Sequence, residues 1–238
     1  EGEEDAVGHP LHHVRFREVL QAALTAAAWK KPKTGANYGR GIALSGRHIS
    51  GGDTGLILTA ESDGGFTILS PTIDQGSGTH TILRQLVAEE MRVPIEQVRG
   101  VIGDTDVTPR DGGVRASRVT YVAGNAVVQA SEKLRQQLLA QAGRMLECNA
   151  EEIEFGNARF WLRQDPGQQI TLRRVVGQAP GPLSVSVYED YPYPEDISYI
   201  CAQVAEVEVD RETGAVRVHR FVSAHDVGTV INPITHQG

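Results

Sequence analysis

Hydrophobic residues along the chain follow two different periods. Apolar positions recur at helical spacing over 16–29, 81–92 and from Ser117 or a neighbouring capping residue to about Glu147. Between these stretches, apolar residues alternate with polar ones or form short runs, which is typical of strands. The predicted strands are 39–62 (one or two strands with a loose loop at 45–52), 66–69, 98–102 (a short buried strand), 153–155, 159–162, 205–209 and 216–218. The mixture predicts an α+β fold with mixed β-sheets and hairpins packed against two or three helices.

Turn residues mark the connections between these elements. The Asp63-Gly64-Gly65 turn predicts a hairpin between two apolar runs, and a second hairpin turns at 210–214. Four prolines predict an irregular surface segment over 170–199. Together these signals predict three parts: an acidic, histidine-rich segment with a helix (1–38), an α+β subdomain (39–165), and an irregular connection that begins an incomplete β-rich subdomain (166–238).

Composition narrows the class of protein. The 238 residues carry 40% hydrophobic and 22% charged residues, as in ordinary globular proteins. A net charge of −7 argues against a nucleic-acid or anionic membrane partner. There is no apolar run of about 20 residues and no leader at the start, so we expect a cytoplasmic protein. Cys148 and Cys201 are too few for a disulfide framework or for a zinc or iron–sulfur site, and we expect buried thiols.

The stretch 74–81 carries the first candidate chemistry. It is a polar loop with two glycines that leads directly into a helix. Such a loop aims backbone N–H groups and the positive end of the helix dipole at whatever lies before it. Two interpretations stay open, an anion or phosphate cradle and an ordinary strand-to-helix loop.

A second polar loop, 103–113, precedes the long helix. The helix starts with small residues, including Ala116 and Ser117, which let its first turn approach a sheet or a bound molecule. Two groups of side chains each leave two interpretations open. Asp104, Asp106 and Asp111 in this loop are either cation ligands or turn caps. The three histidines near the start, His9, His12 and His13, are either cation ligands or part of a mobile tail. Their spacing matches no metal motif, so no metal-ligating residue is predicted.

Three segments, in this order, carry a resemblance to a known family. They are 74–81, the run 103–127 with its Ala116-Ser117-Arg118 and Gly124-Asn125 sequences, and 207–233 with Asp226-Val227-Gly228 and Ile231-Asn232-Pro233. The chain from about Gly39 resembles the large, molybdenum-binding subunit of the xanthine dehydrogenase/aldehyde oxidase family.

The resemblance implies a molybdenum hydroxylase. It implies a molybdopterin cofactor, with or without a cytosine dinucleotide extension, that is held without a protein ligand to the metal. The reaction implied is hydroxylation of an electron-poor carbon of a small-molecule substrate, with water as oxygen source. Electrons would leave through [2Fe-2S] clusters to FAD in partner chains or domains. The remaining domains of the molybdenum subunit are implied as further partners.

The resemblance also implies cofactor-binding residues. Gln75 and Gly76 match the glutamine–glycine pair at the pterin, with Thr79, His80 and Thr81 close behind. The inserted Ser77-Gly78 lengthens this loop relative to the xanthine dehydrogenase form. Ala116 and Ser117 match the alanine–serine pair where backbone approaches the molybdenum site. Beside that pair we expect three more contacts, from Arg118, Val119 and Thr120.

The family's catalytic glutamate and a further pterin-contacting glutamine would fall after Gly238. We therefore expect no catalytic residue in this chain, and neither activity nor molybdenum in the chain alone. Two alternatives stay open: a non-catalytic assembly subunit of a split enzyme, and a small unrelated hydrolase that uses Asp104, Asp106 or His80.

Overall fold

A computed structural model describes residues 4, 8, 14–32, 35–194, 198–230 and 232–237. The three N-terminal histidines lie outside this range. The chain divides into two compact units, one formed by Glu1–Ile49 with Pro194–Gly238 and the other by Ser50–Tyr193. The three-part division expected from the sequence stays a prediction.

The elements, in chain order, are α1 (Phe16–Ala26), β1 (Tyr38–His48), β2 (Gly52–Ala60), β3 (Phe66–Ser70), α2 (Thr79–Glu90), a 3₁₀ turn (Ile95–Gln97), β4 (Val98–Ile102), α3 (Val119–Leu146), a 3₁₀ turn (Ala150–Glu152), β5 (Ile153–Gly156), β6 (Arg159–Leu162), β7 (Gln169–Thr171), α4 (Leu172–Gly177), β8 (Ser184–Tyr191), β9 (Ser198–Val209), β10 (Val216–Asp226) and α5 (Pro233–Gln237). They form three sheets.

The unit that contains both chain ends is built on the antiparallel sheet β1-β9-β10. Helix α1 packs on one face of this sheet because its apolar residues recur at helical spacing. Val19 and Ala23 of the helix, and Ala27 directly after it, form a small core with Ala202 and Val204 of the central strand.

The Ser50–Tyr193 unit holds the larger core. Its four-stranded sheet has the order β4-β3-β2-β8, antiparallel except for the parallel pair β3 and β4. Helices α2 and α3 pack together, and α3 also packs on β2 and β8. Leu134 and Leu138 of α3 are fully buried in this core, as are Phe66 and Leu58 of the sheet. The small sheet β5-β6-β7 and helix α4 complete the unit.

The α+β class and the helices are confirmed, with shifts of a few residues at the ends. The Asp63-Gly64-Gly65 hairpin is confirmed as well, because β2 and β3 pair across it and Asp63 Oδ1 accepts a hydrogen bond from the Gly65 N–H at 3.0 Å. Ser117 does not cap α3 with its side chain, since the N-cap position falls on Arg118 without a side-chain bond.

Two strand predictions were wrong. The 170–199 segment is not irregular, because it contains α4, β8 and the first residues of β9. Strand β4 is an edge strand rather than a buried one, and beyond its buried first residue, Val98, the next three residues are exposed. None of the helices in the described part of the chain combines the length and apolar character that crossing a membrane requires.

Candidate cofactor-binding site

A cavity of about 440 Å³ opens in the Ser50–Tyr193 unit where two loops meet. One loop precedes α2 and the other precedes α3. The residues that line it are Gln75, Ser77, Thr79, Ile82, Val114, Arg115, Ala116, Ser117, Arg118, Val119 and Thr120. Its volume lies in the range of small-molecule pockets. Two segments far apart in sequence therefore form one site.

The loop before α2 is held by its own carboxylate. Asp74 Oδ1 accepts hydrogen bonds from the N–H groups of Gly76 at 2.8 Å and of Gly78 at 3.1 Å. Both glycines are left-handed, with φ of 97° and 78°. Desolvation raises the pKa of Asp74, but these two hydrogen bonds and the nearby His80 outweigh it, so the pKa lies below its usual value. The loop therefore offers side chains to the cavity, while these two N–H groups serve the loop itself.

A side-chain hydrogen bond joins the two loops. The amide Nε2 of Gln75 donates to the Val114 carbonyl at 3.1 Å. The hydroxyls of Ser77 and Thr79 lie 3.1 Å apart and share one hydrogen bond. Gln75 is exposed, whereas Thr79 is buried at the first position of α2. One wall of the cavity is thus formed by residues that carry an amide group and two hydroxyl groups.

The opposite wall is a strained piece of backbone. Ala116 and Ser117 both adopt the left-handed conformation, with φ of 46° and 54°. For residues with a Cβ this conformation costs about 1 kcal/mol each. The Ala116 carbonyl accepts a hydrogen bond from the Ser50 N–H at 3.2 Å, which holds the pair in place. Helix α3 begins two residues later, so its first N–H groups, which have no acceptor within the helix, lie at the cavity.

Arg118 fixes the second loop from within. Its side chain is 1% exposed, and Nη1 and Nη2 donate to the carbonyls of Gly113 at 2.8 Å and Asp53 at 2.6 Å. Nη1 also lies 3.7 Å from Asp111 Oδ1. Its buried Nε finds no hydrogen-bond partner in the described part of the chain. Arg118 therefore ties the loop to β2 and leaves one donor unused beside the cavity.

The Asp53 carboxylate lies beside the Arg118 anchor. The Tyr188 hydroxyl donates to Asp53 Oδ2 at 2.8 Å, and Arg110 Nε lies 3.3 Å from the same oxygen. The hydrogen bond from Tyr188 lowers the pKa of Asp53 most, and the charges of Arg110 and Arg118 add to it against some desolvation. The carboxylate is thus held in its charged form next to the loop that Arg118 anchors.

The structure brings most of the predicted site residues together. Gln75, Thr79 and the five residues 116–120 line the cavity, while Gly76, His80 and Thr81 do not. His80 is half-buried in the first turn of α2, and its Nε2 has no hydrogen-bond partner among the residues described. The role of all ten predicted residues in binding a cofactor stays a prediction.

Sequence reasoning missed four lining residues. They are Ser77, Ile82, Val114 and Arg115. Each one lies within two residues of a predicted residue, so adjacency was the available signal. Two aspartates of the second loop act as turn caps: Asp104 Oδ1 accepts from the Asp106 N–H at 3.0 Å, and Asp111 Oδ1 accepts from the Gly113 N–H.

Replacement of Ala116 by valine is expected to destabilise this wall. A β-branched residue tolerates the left-handed conformation poorly, so the free energy of unfolding should fall by about 1–2 kcal/mol in urea denaturation. Ala158, which is also left-handed with φ of 54° but lies outside the cavity, supplies the matched control Ala158→Val. Both variants should lose similar stability, and Ala116→Gly should lose none. Equal stability of Ala116→Val and the parent chain would contradict the strain argument.

Comparison with known proteins identifies this type of domain. The model of the molybdopterin cofactor-binding domain family matches residues 15–238, and the chain belongs to this family. The family resemblance seen in the sequence is thereby confirmed.

Two relatives and one solved structure show the range of the family. The carbon monoxide dehydrogenase large chain of Hydrogenophaga pseudoflava is 34% identical over 178 residues, which is 70% of this chain and 22% of that protein. The probable hypoxanthine oxidase XdhD of Escherichia coli K12 is 28% identical over 231 residues, 92% of this chain and 24% of the relative. The quinoline 2-oxidoreductase of Pseudomonas putida 86 shares the fold with a TM-score of 0.76 at 21% identity, covering 99% of this chain and 34% of the solved one. The chain thus spans about a quarter of the length of these two relatives.

Proposed function

We propose that this chain forms part of the molybdopterin pocket of a molybdenum hydroxylase. The observation that carries the proposal is the convergence of Gln75–Thr79 and Val114–Thr120 on one cavity in a chain of this family. Relatives of the chain are oxidoreductases. The parent enzyme would hydroxylate an electron-poor carbon with oxygen from water.

The residues around the cavity fit a pterin that carries a phosphate. The first N–H groups of α3, which have no acceptor within the helix, suit a phosphate or another anionic oxygen. The amide of Gln75 and the hydroxyls of Ser77 and Thr79 suit the many donors and acceptors of a pterin ring. The space beside Gly76 and Gly78 is open, since a Cβ added at either glycine would meet nothing within 4 Å.

In this proposal the chain binds and orients, and it supplies no catalytic group. When bound, the cofactor supplies the oxygen-transfer and redox chemistry. The wall at Ala116 and Ser117 brings backbone close to the cofactor without bulk, and Arg118 keeps that wall in place from behind. The Gln75 contact to Val114 sets the separation of the two walls. The residues that exchange protons with substrate would belong to other parts of the parent enzyme.

The partners follow from the same proposal. Remaining domains of the molybdenum subunit would complete the pocket, and chains that hold [2Fe-2S] clusters and FAD would accept the electrons. One relative is named as the large chain of a carbon monoxide dehydrogenase, which supports partner subunits of this kind. A cytosine dinucleotide extension of the pterin and a cytoplasmic location belong to the proposal as well.

A Gln75→Leu variant tests the proposal in the full-length protein that contains this chain. Leucine keeps the size of the side chain but removes the donor to Val114 and any donor to the pterin. Losing one or two such hydrogen bonds should weaken cofactor retention about tenfold or more. Molybdenum by elemental analysis and pterin by fluorescence after oxidation measure the retention directly, without reliance on turnover.

Gln136 supplies the control for this experiment. It is exposed on α3, outside the cavity, so Gln136→Leu should keep the molybdenum and pterin content of the parent protein. A Gln75→Leu protein that is folded and fully loaded with both molybdenum and pterin would overturn the assignment of this cavity.

A further inference from the structure

A second cavity, of about 410 Å³, lies in the same unit and shares no residue with the first. The Asp63-Gly64-Gly65 turn, the end of the 3₁₀ turn before β4 and the turn between β5 and β6 form its walls. Three arginines line it, from β4, β6 and α4. The proposed role of the chain in cofactor binding uses none of these residues.

The arginines differ in what already holds them. Arg99 already forms an ion pair with Asp63, in which Nη1 lies 2.8 Å from Oδ2 and Nη2 lies 3.4 Å from Oδ1. Arg159 donates from Nη1 to the neutral Gln169 Oε1 at 3.3 Å. Arg173 forms no side-chain hydrogen bond or ion pair with any residue in the described ranges, and neither it nor Arg159 pairs with a carboxylate there. Two of the arginines that line this cavity therefore have guanidinium groups with unused capacity for an anion.

Acidic residues do not cancel this charge. Asp63 and the exposed Glu96 also line the cavity, so its three arginines and two carboxylates leave one positive charge in excess. Because Asp63 is already bonded to Arg99, the excess falls on the Arg159 and Arg173 side.

Gln97, which lines the same cavity, carries an unpaired acceptor. The Oε1 of Gln97 is buried and receives no hydrogen bond in the part of the chain described. A buried acceptor without a donor is costly, so a ligand that donates a hydrogen bond there gains affinity. A ligand that matches this cavity therefore carries a negatively charged group and, beside it, a hydroxyl or amine that donates a hydrogen bond.

The fold fixes the backbone segments from which these side chains project. Arg159 pairs across the β6–β7 ladder with Thr171, two residues before Arg173, and the Leu172 N–H donates to the Ala158 carbonyl at 2.8 Å. Gly64 is left-handed with φ of 91°, and a Cβ built on it would lie 3.5 Å from Arg173 Cβ, so this turn packs directly on the arginine. Such preorganisation lowers the entropy cost of binding.

We infer that this cavity binds a small hydroxylated oxyanion, either a phosphate monoester or a hydroxy acid. Arg159 and Arg173 would bind the anionic oxygens, and Gln97 Oε1 would accept a hydrogen bond from the ligand's hydroxyl. The cavity volume admits a molecule of this size.

Amide chemical shifts of the ¹⁵N-labelled chain test the inference. Titration with glycerol 3-phosphate should shift the resonances of Gly64, Gly65 and Ala158 with a single binding constant. Methyl phosphate, which lacks a free hydroxyl beyond the phosphate, should bind several-fold more weakly, and glycerol should not bind. Glycerate in place of glycerol 3-phosphate distinguishes a hydroxy-acid site from a phosphate site, according to which of the two binds more tightly.

Variants tie the binding to the arginines. Arg159→Gln and Arg173→Gln should each weaken the binding about tenfold, as expected for one charged hydrogen-bonding partner. Arg163→Gln is the matched control, because Arg163 follows the same strand but pairs with Glu154 at 2.9 Å outside the cavity. Asp63→Asn should strengthen binding several-fold, since it frees the Arg99 guanidinium and keeps the acceptor for the Gly65 N–H.

The resonances of Gly76, Gly78 and Ser117 separate this site from the cofactor cavity. Shifts confined to those residues, or binding that persists unchanged in both folded arginine variants, would overturn the inference. Absence of any shift at Gly64 and Ala158 at millimolar ligand would overturn it as well.

Discussion

Replacement of Arg118 by methionine is expected to lower the free energy of unfolding by about 3 kcal/mol. Methionine fills part of the volume but removes two donors, so the Gly113 carbonyl loses its hydrogen bond from Arg118 and the Asp53 carbonyl keeps only the one from the Gly112 N–H at 3.0 Å. It also leaves Asp111, 6% exposed, without its cation. Urea denaturation followed by circular dichroism measures the loss.

The same substitution should also empty the cofactor site of the parent enzyme. The loop that carries Ala116 and Ser117 would lose its attachment to β2, so we expect molybdenum content to fall with stability. The control is Arg110→Met, because Arg110 is 80% exposed and contacts the Asp53 carboxylate from the outside. An exposed ion pair contributes at most about 1 kcal/mol, so this variant should stay close to the parent protein. Equal stability losses in the two variants would contradict the anchoring role of Arg118.

Gly51→Ala is expected to be the second most damaging change. A Cβ at this position would lie 2.2 Å from the Tyr191 carbonyl oxygen and 2.5 Å from the carbonyl carbon and oxygen of Pro192. Because these are backbone atoms, the segment just before β2 and the segment at the end of β8 must move apart. Overpacking of this kind costs about 1–3 kcal/mol.

The displacement should reach the cofactor cavity. Ser50 precedes Gly51 and donates its N–H to Ala116, so a shift of Gly51 disturbs the strained wall. Hydrogen exchange at the Ser50 amide should become faster in Gly51→Ala. Gly181→Ala is the control, since a Cβ on Gly181 would meet nothing within 4 Å. Unchanged exchange at Ser50 in a destabilised Gly51→Ala protein would show that the two features are independent.

The sequence revealed the helices and the two cavity loops because their signals are local. Helical spacing and the glycine-rich entry into α2 need no knowledge of distant residues. Strand β8 was missed because prolines on both sides suggested an irregular segment, although Val185 and Val187 alternate with polar residues between them. That short alternation becomes a strand through pairing with β2, which lies more than a hundred residues earlier in the chain.

The geometry of the site depends on such distant contacts. The role of Arg118 as an anchor follows from its bond to Asp53, which no local pattern indicates. Likewise, the left-handed conformation of Ala116 and Ser117 could not be predicted, because neither residue type favours it. The identity of the site residues came from the family resemblance, whereas their distances and partners required the structure.

The carboxylate of Asp74 has a consequence for how a cofactor would enter. Since Asp74 already satisfies the N–H groups of Gly76 and Gly78, the loop has its shape without a ligand. A cofactor that arrives at the empty protein then meets a rigid receptor surface and pays little ordering entropy at this wall. If the chain has the proposed function, this loop would accordingly need little rearrangement when it receives the cofactor.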